Sequence, residues 1–217
     1  MVISAAGIGS RLDYGMPKCL VPICGRPLLA WQLDAIASID PDVEIVVVAG
    51  YRAADVARFL REVAPGVPVV LNHRFASTGT SGSLRRGARM AGGEFVVSLD
   101  GDLLISPEEL RPWIEGSGRA IGVSPRSTRT PVVVRRDDAD LVVEMGFDLE
   151  GDLEWNGLLR LPREIVIEFG DDHVFWNLQR MLPLPSIASH TVEIDDPDDL
   201  DRAETWLTSR LEERTWT

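Results

Sequence analysis

The chain has 217 residues, 45% hydrophobic and 26% charged, which suits a well-buried core and argues against disorder. Its 34 acidic and 22 basic residues leave a formal net charge of -12, which disfavours nucleic acid and anionic membrane as partners, because both need a basic face. No apolar run approaches the roughly 20 residues of a membrane span, the N-terminus has no basic or apolar leader, and Cys19 and Cys24 sit in one short segment as reduced thiols, so a cytoplasmic protein is expected.

Apolar, β-branched runs at 2–6, 44–49, 67–71, 95–99 and 120–123 predict strands. Helical spacing at 28–39, 53–63 and 81–91 separates the early ones. Continuous apolar strands alternating with amphipathic helices predict an α/β fold, a mostly parallel sheet covered by helices on both faces. After Pro125 the pattern changes. Segments 131–135 and 141–145, separated by RDDAD, predict a β-hairpin arm. The run 191–194 leads into DDPDDLDRAETWLTSRL, a capped terminal helix with acids in its first turn. With no repeat and no flexible linker, one domain over 1–217 is expected, residues 1–124 forming a nucleotide-binding half and 125–217 an acceptor-side half.

The motifs fall where strands end, which is where open α/β sheets bind ligands. AAGIGSRL (5–12) follows the first strand. Gly7 and Gly9 let backbone N–H groups approach phosphate oxygens, alongside the backbone of Ala5, Ala6 and Ser10, and Arg11 can bind them bidentately. A tight strand-to-helix turn is the alternative for the glycines alone. A dinucleotide fingerprint is excluded by Leu12, and a P-loop by the absence of GxxxxGK. Lys18, seven residues after Arg11 and stiffened by Pro17, gives the same segment a second cation for a polyphosphate. SLDGDLLIS (98–106) places Asp100 and Asp102 just past a strand, where hard oxygens suit Mg²⁺ or an Asx-type turn. In VEIDDPDDL (192–200), Glu193 and Asp195 share a side of a strand and can complete a metal site with Asp102, while Asp196, Asp198 and Asp199 read as helix caps. Gly79, Thr80 and Ser81, in TGTSGSLRRG, offer amides and hydroxyls to a nucleobase edge or simply cap a helix. For the acceptor, Arg126 and Arg129 suit a phosphate. Trp155, Phe175 and Trp176 suit an organic cation, which wants aromatic faces, and Glu154 and Asn156 in EWNGLL suit a sugar's hydroxyls.

Taken in order, AAGIGSRL, PKCLVPICGRPLL, GTSGSL, DGD and EID resemble the nucleotidyltransferase family that activates sugar phosphates and alcohol phosphates. The similarity runs over nearly the whole chain. NHRFASTGTSGSL and SLDGDLLIS, with the four-residue spacer between Leu12 and Pro17, are closest to bacterial phosphocholine cytidylyltransferase-like enzymes. The resemblance implies a Rossmann-like three-layer α/β/α fold with a β-arm. It also implies that Gly7, Gly9, Arg11 and Lys18 hold the nucleotide's phosphates, that Asp102 and Asp195 bind Mg²⁺, and that 79–81 meets the base. The first strand is short for the family, which points to a start codon upstream of Met1.

The expected reaction is Mg²⁺-dependent transfer of a nucleoside monophosphate, with CTP favoured, to a small phosphorylated alcohol. Positioning and charge neutralisation carry such a step without a protein nucleophile. Three alternatives stand beside it. They are a sugar-1-phosphate nucleotidyltransferase using UTP, dTTP or GTP, a molybdenum-cofactor-type guanylyltransferase, and a non-catalytic nucleotide-binding regulatory protein. Homo-oligomer formation is left open.

Overall fold

Strand β1 (Val2–Ala5) is flanked by β4 (Val46–Ala49) and β6 (Phe95–Asp100), and β5 (Val69–Leu71) lies outside β4, all four parallel. The small ribbon β2 (Pro22–Ile23) and β3 (Arg26–Pro27) precedes helix α1 (Leu28–Ile39). Helices α2 (Ala53–Val63) and α3 (Thr80–Met90) make the next crossovers, and β7 (Leu103–Ile105) and α4 (Pro107–Ile114) follow β6. The second half contains β8 (Ala120–Pro125), β9 (Val133–Arg136), β10 (Leu141–Gly146), β11 (Leu153–Pro162), α5 (Arg163–Val166), α6 (Val174–Gln179), β12 (Leu184–Ala188), β13 (Thr191–Glu193) and α7 (Pro197–Glu212). This computed structural model describes residues 1–9, 12 and 14–213. No described helix is long and apolar enough to cross a membrane.

Alternation along the parallel strands sorts two cores. Ile3, Ala5, Val47, Ala49 and Leu99 face α1, α2, α4 and α7, while Val2, Val46, Val48 and Val96 face α3, α5 and α6. Both faces are buried, which is why these strands read as unbroken apolar runs.

The sheet is mixed, which corrects the expected mostly parallel one. Its order is β5-β4-β1-β6-β11-β8-β12-β10-β9, and β11 runs antiparallel to both β6 and β8. The reason lies in the connections. The chain returns from β8 through the hairpin β9–β10 rather than a crossover helix, so β11 re-enters the sheet in the opposite sense. β9 also pairs with the start of β11, at Leu153↔Val134 and Glu154↔Val133. Strands β11, β8, β12, β10 and β9 therefore close into a ring. Register shifts in β11 between Trp155 and Leu159, where it exchanges β9 for β6 as its neighbour. Helix α7 begins with the expected cap. The Asp196 side chain accepts from Asp199 N, and that of Asp199 accepts from Asp196 N.

Candidate active site

Parallel pairing puts the C-terminal ends of β5, β4, β1 and β6 along one edge, and the segments leaving them meet there. Gly101 follows β6 and donates its N–H to Ser4 O at 2.9 Å. A Cβ on Gly101 would lie 2.9 Å from Ala5 Cα, so only glycine lets this turn rest on β1. Gln32, fully buried in α1, holds the same turn from behind. Its Nε2 donates to Asp100 O at 2.8 Å and to Leu103 O at 2.7 Å. The direction of Asp102 is thus set by backbone contacts on two sides.

The strand β13 pairs antiparallel with β7, Glu193 opposite Leu103, and Ile194 N donates to Asp102 O at 3.0 Å. That pairing carries Glu193 and Asp195 to Asp102 from more than ninety residues further along the chain. The three carboxylates each present an oxygen, all within 4.8 Å of one another. Lys18 reaches them from a 3-10 turn after Pro17. Its Nζ donates to Asp102 Oδ2 at 3.1 Å and to Asp195 Oδ1. Gly9, at φ +65°, leaves room for the lysine stem, since a Cβ there would lie 2.5 Å from Lys18 Cγ.

Carboxyl groups crowd one another at this site. Burial, reinforced by Asp102, pushes the Asp100 carboxyl up to about 8. Glu193 is also pushed up to about 8, by burial and then by Asp102 and Asp195. Burial alone would lower the Lys18 ammonium, but Asp102 and Asp195 together hold it above the usual lysine value. One lysine does not compensate these acids, and three convergent hard oxygens fit a divalent cation such as Mg²⁺.

A stability prediction follows. Between the ordinary values of 3.8 and 4.5 and the folded value of about 8, Asp100 and Glu193 keep protons that the unfolded chain gives up. The folded state binds more protons in this window, so rising pH favours unfolding. In EDTA the melting temperature is expected to fall as pH rises from roughly 5 to roughly 8. Glu193→Gln should flatten that decline, and Mg²⁺ should stabilise more at the alkaline end than at the acidic end. Thermal unfolding of both proteins across this range measures it. A parallel decline in wild type and Glu193→Gln would remove Glu193 as a cause.

Around this centre the expected residues are distributed unevenly. Ala5 ends β1 and Ala6, Gly7 and Gly9 follow it, Gly9 against the Lys18 stem, whereas Ser10 and Arg11 lie outside the described residues. Gly79, Thr80 and Ser81 open α3, but a second segment already engages them. Gly79 N donates to Asp171 O, Ser81 N to Asp172 O, Val174 N to Thr80 Oγ1, and Asn177 Nδ2 to Ser81 Oγ. Buried Asn72 anchors the preceding turn by donating to Thr78 Oγ1 and Ser83 Oγ, both at 3.0 Å.

Two adjoining cavities flank the carboxylates. One of about 170 Å³ is lined by Asp100, Asp102, Glu154, Trp155, Asn156 and Gly157, among others. The other, of about 440 Å³, lies between residues 127–130, β13 and the start of α7, with Arg129, Arg202 and Trp206 in its wall. Asn156 is buried, donating to Ser189 O at 2.9 Å, and Trp155 Nε1 donates to Leu158 O. Arg126 is exposed and donates to Gly151 O at 3.2 Å. Trp176 and Phe175, expected on the acceptor side, line neither cavity. Helix α6 instead packs Phe175 against Phe147 and against Trp176. Sequence reasoning missed Gln32 and Trp206, which look like ordinary members of amphipathic helices.

Comparison with known proteins agrees with this geometry. The bifunctional protein GlmU of Ruegeria sp. (strain TM1040) is 37% identical over 121 residues, 55% of this chain and 27% of that protein. The chain spans a third or less of the length of the curated relatives it matches. Among solved structures, the inositol-1-phosphate CTP transferase from T. maritima superposes with a TM-score of 0.81 at 19% identity, over 98% of this chain and 95% of that one. The CTP:phosphocholine cytidylyltransferase LicC from Streptococcus pneumoniae gives 0.75 at 19%, over 95% and 97%. These two likenesses establish the fold. Residues 1–160, from β1 through most of β11, match the MobA-like NTP transferase domain, and the chain belongs to that family.

Proposed function

We propose that this protein transfers a nucleoside monophosphate from a nucleoside triphosphate to a phosphorylated small molecule. A phosphate oxygen of the acceptor forms a bond to the α-phosphorus, the bond from that phosphorus to the bridging β-phosphate oxygen breaks, and pyrophosphate leaves. The observation that carries this reading is the convergence of Asp102, Glu193, Asp195 and Lys18 at the edge where the parallel strands end. Asp102 and Asp195, with Glu193, would hold Mg²⁺, whose bound charge offsets that of the phosphates. Lys18 supplies a fixed ammonium beside that position, and the backbone of Gly7 and Gly9 the phosphate cradle, with Ser10 and Arg11 completing it. The turn 79–81, through Gly79, Thr80 and Ser81, places the base, and Asp100 stands behind the nucleotide. On this reading residues 1–124 serve mainly the nucleotide, and 125–217 the acceptor, with Glu193 and Asp195 shared through the metal.

CTP and a phosphorylated alcohol are the favoured pair. The two structural neighbours are an inositol-1-phosphate CTP transferase and a CTP:phosphocholine cytidylyltransferase. In the smaller cavity Glu154 and Asn156, the side chains suited to a sugar's hydroxyls, are already hydrogen-bonded within the protein. Arg129, Trp155 and Asn156 face the acceptor on this reading.

Pyrophosphate release from CTP, UTP, dTTP and GTP, each against phosphocholine, a polyol phosphate and glucose 1-phosphate, tests it. CTP with an alcohol phosphate is expected to give the largest kcat/KM. Turnover only with UTP or dTTP and the hexose phosphate would overturn the alcohol-phosphate assignment. Binding of nucleotide without any release would favour a regulatory protein instead.

A further inference from the structure

Glu154 sits near the start of β11 and is 1% exposed. Its carboxylate accepts four hydrogen bonds: from Ser127 N at 2.9 Å, Ser127 Oγ at 3.0 Å, Thr128 N at 3.2 Å and Thr128 Oγ1 at 2.6 Å. Among the described residues it has no ion-pair partner. A buried carboxylate without a cation is costly unless donors replace its hydration. Two amides and two hydroxyls do that here, and all four belong to two consecutive residues of the β8–β9 connection.

The same connection has a second attachment. Arg129 Nη2 lies 2.9 Å from Asp196 Oδ2 and 3.6 Å from Asp198 Oδ2, at the head of α7 and next to Asp195. The segment therefore runs from β11 to α7 across the carboxylate site. It also divides the two cavities, for Ser127, Thr128 and Thr130 line both, with Thr191 and Glu193. Exposed Arg129 forms a pair of the kind that contributes little by itself, whereas a charged acceptor of four hydrogen bonds is a strong anchor.

We infer that Glu154 is a positioning residue that staples residues 127–130 into place as the wall of the acceptor site. The staple itself follows from the contacts; its link to an acceptor rests on the transfer reaction proposed above. Glu154 acts through Ser127 and Thr128, not by touching substrate, so removing the anchor or its donors should have the same consequence.

Three variants test this: Glu154→Gln, which replaces one acceptor oxygen by a donor; Thr128→Val, which removes one hydroxyl at constant shape; and the pair combined. Trypsin cleavage after Arg126 and Arg129 in the native protein, located by mass, reports the staple without reference to activity. Cleavage is expected to rise about tenfold in Glu154→Gln, the scale of one charge-assisted hydrogen bond. The acceptor KM is expected to rise about tenfold too, while the NTP KM stays within about twofold. Thr128→Val should move both readouts in the same direction, and the combined variant should add little to Glu154→Gln, as coupled partners do. Unchanged cleavage in Glu154→Gln would overturn the inference. So would an acceptor KM raised by Glu154→Gln and untouched by Thr128→Val, since Glu154 would then act on substrate directly. If Glu154→Gln fails to fold, Thr128→Val decides by the same two readouts. Absence of turnover in the wild type with every NTP and acceptor would refute the transfer reaction, and the cleavage result would still decide the staple.

Discussion

Asp102→Asn and Asp195→Asn are each expected to lower turnover by on the order of 10³-fold with the fold intact. Asparagine keeps the shape of aspartate and removes its charge. Each substitution leaves a divalent cation two carboxylates instead of three, and leaves Lys18 one ion-pair partner instead of two. The stability readout should run the other way. Asp102 raises the carboxyls of both Asp100 and Glu193, so its neutralisation relieves a repulsion in the metal-free protein. A variant that loses activity while its melting temperature in EDTA holds or rises identifies a carboxylate kept for chemistry at a cost to the fold. Near-normal turnover in either variant would remove that residue from the proposed metal site.

The parallel part of the fold was readable because its strands are buried on both faces and its helices keep a 3.6-residue period. Helices α1 and α2 span the very residues their spacing predicted. Strand β11, the longest in the sheet, was not recognised. Its alternation is interrupted at Asn156 and Gly157, where the register shifts and the strand changes neighbours, and no local pattern encodes such an exchange. The carboxylates stood out because acids directly after apolar strands are poor choices for packing alone. Their meeting in one metal site was expected from residue type alone, whereas the pairing of β13 with β7 that brings them together spans almost ninety residues and has no local signal. Gln32, and the contacts of Glu154, were opaque for a different reason. Their partners are backbone groups and hydroxyls of distant turns, and a buried polar side chain bonded to backbone leaves no complementary residue to find in a sequence. Of the tryptophans expected on the acceptor side, Trp155 lines the smaller cavity. Trp176 packs on Phe175, and Trp206, which the sequence reading did not single out, stands in the wall of the larger cavity beside His190.

Lys18→Ala is expected to lower kcat/KM by on the order of 10²-fold or more, the effect of losing one positioned charge near a departing anion. Two roles for this lysine must be separated, because its ammonium already pairs with Asp102 and Asp195. As a counter-ion only, it would stabilise the fold and compete with a divalent cation for the same carboxylates. Its removal would then lower the melting temperature in EDTA, and saturating Mg²⁺ would restore both stability and rate. As a group that supports charge developing on the triphosphate, it has no substitute in the metal, so Mg²⁺ would restore stability while kcat stayed low. The second outcome is expected, because Gly9 leaves the lysine stem a path along the very segment proposed to cradle the phosphates. Lys18→Arg should recover the charge and little of the rate. A planar guanidinium does not fit a niche shaped for a compact ammonium between two carboxylates. Steady-state kinetics and thermal unfolding of the two variants, with and without Mg²⁺, measure all of this, and full recovery of kcat in Lys18→Ala at saturating Mg²⁺ would reduce Lys18 to a counter-ion.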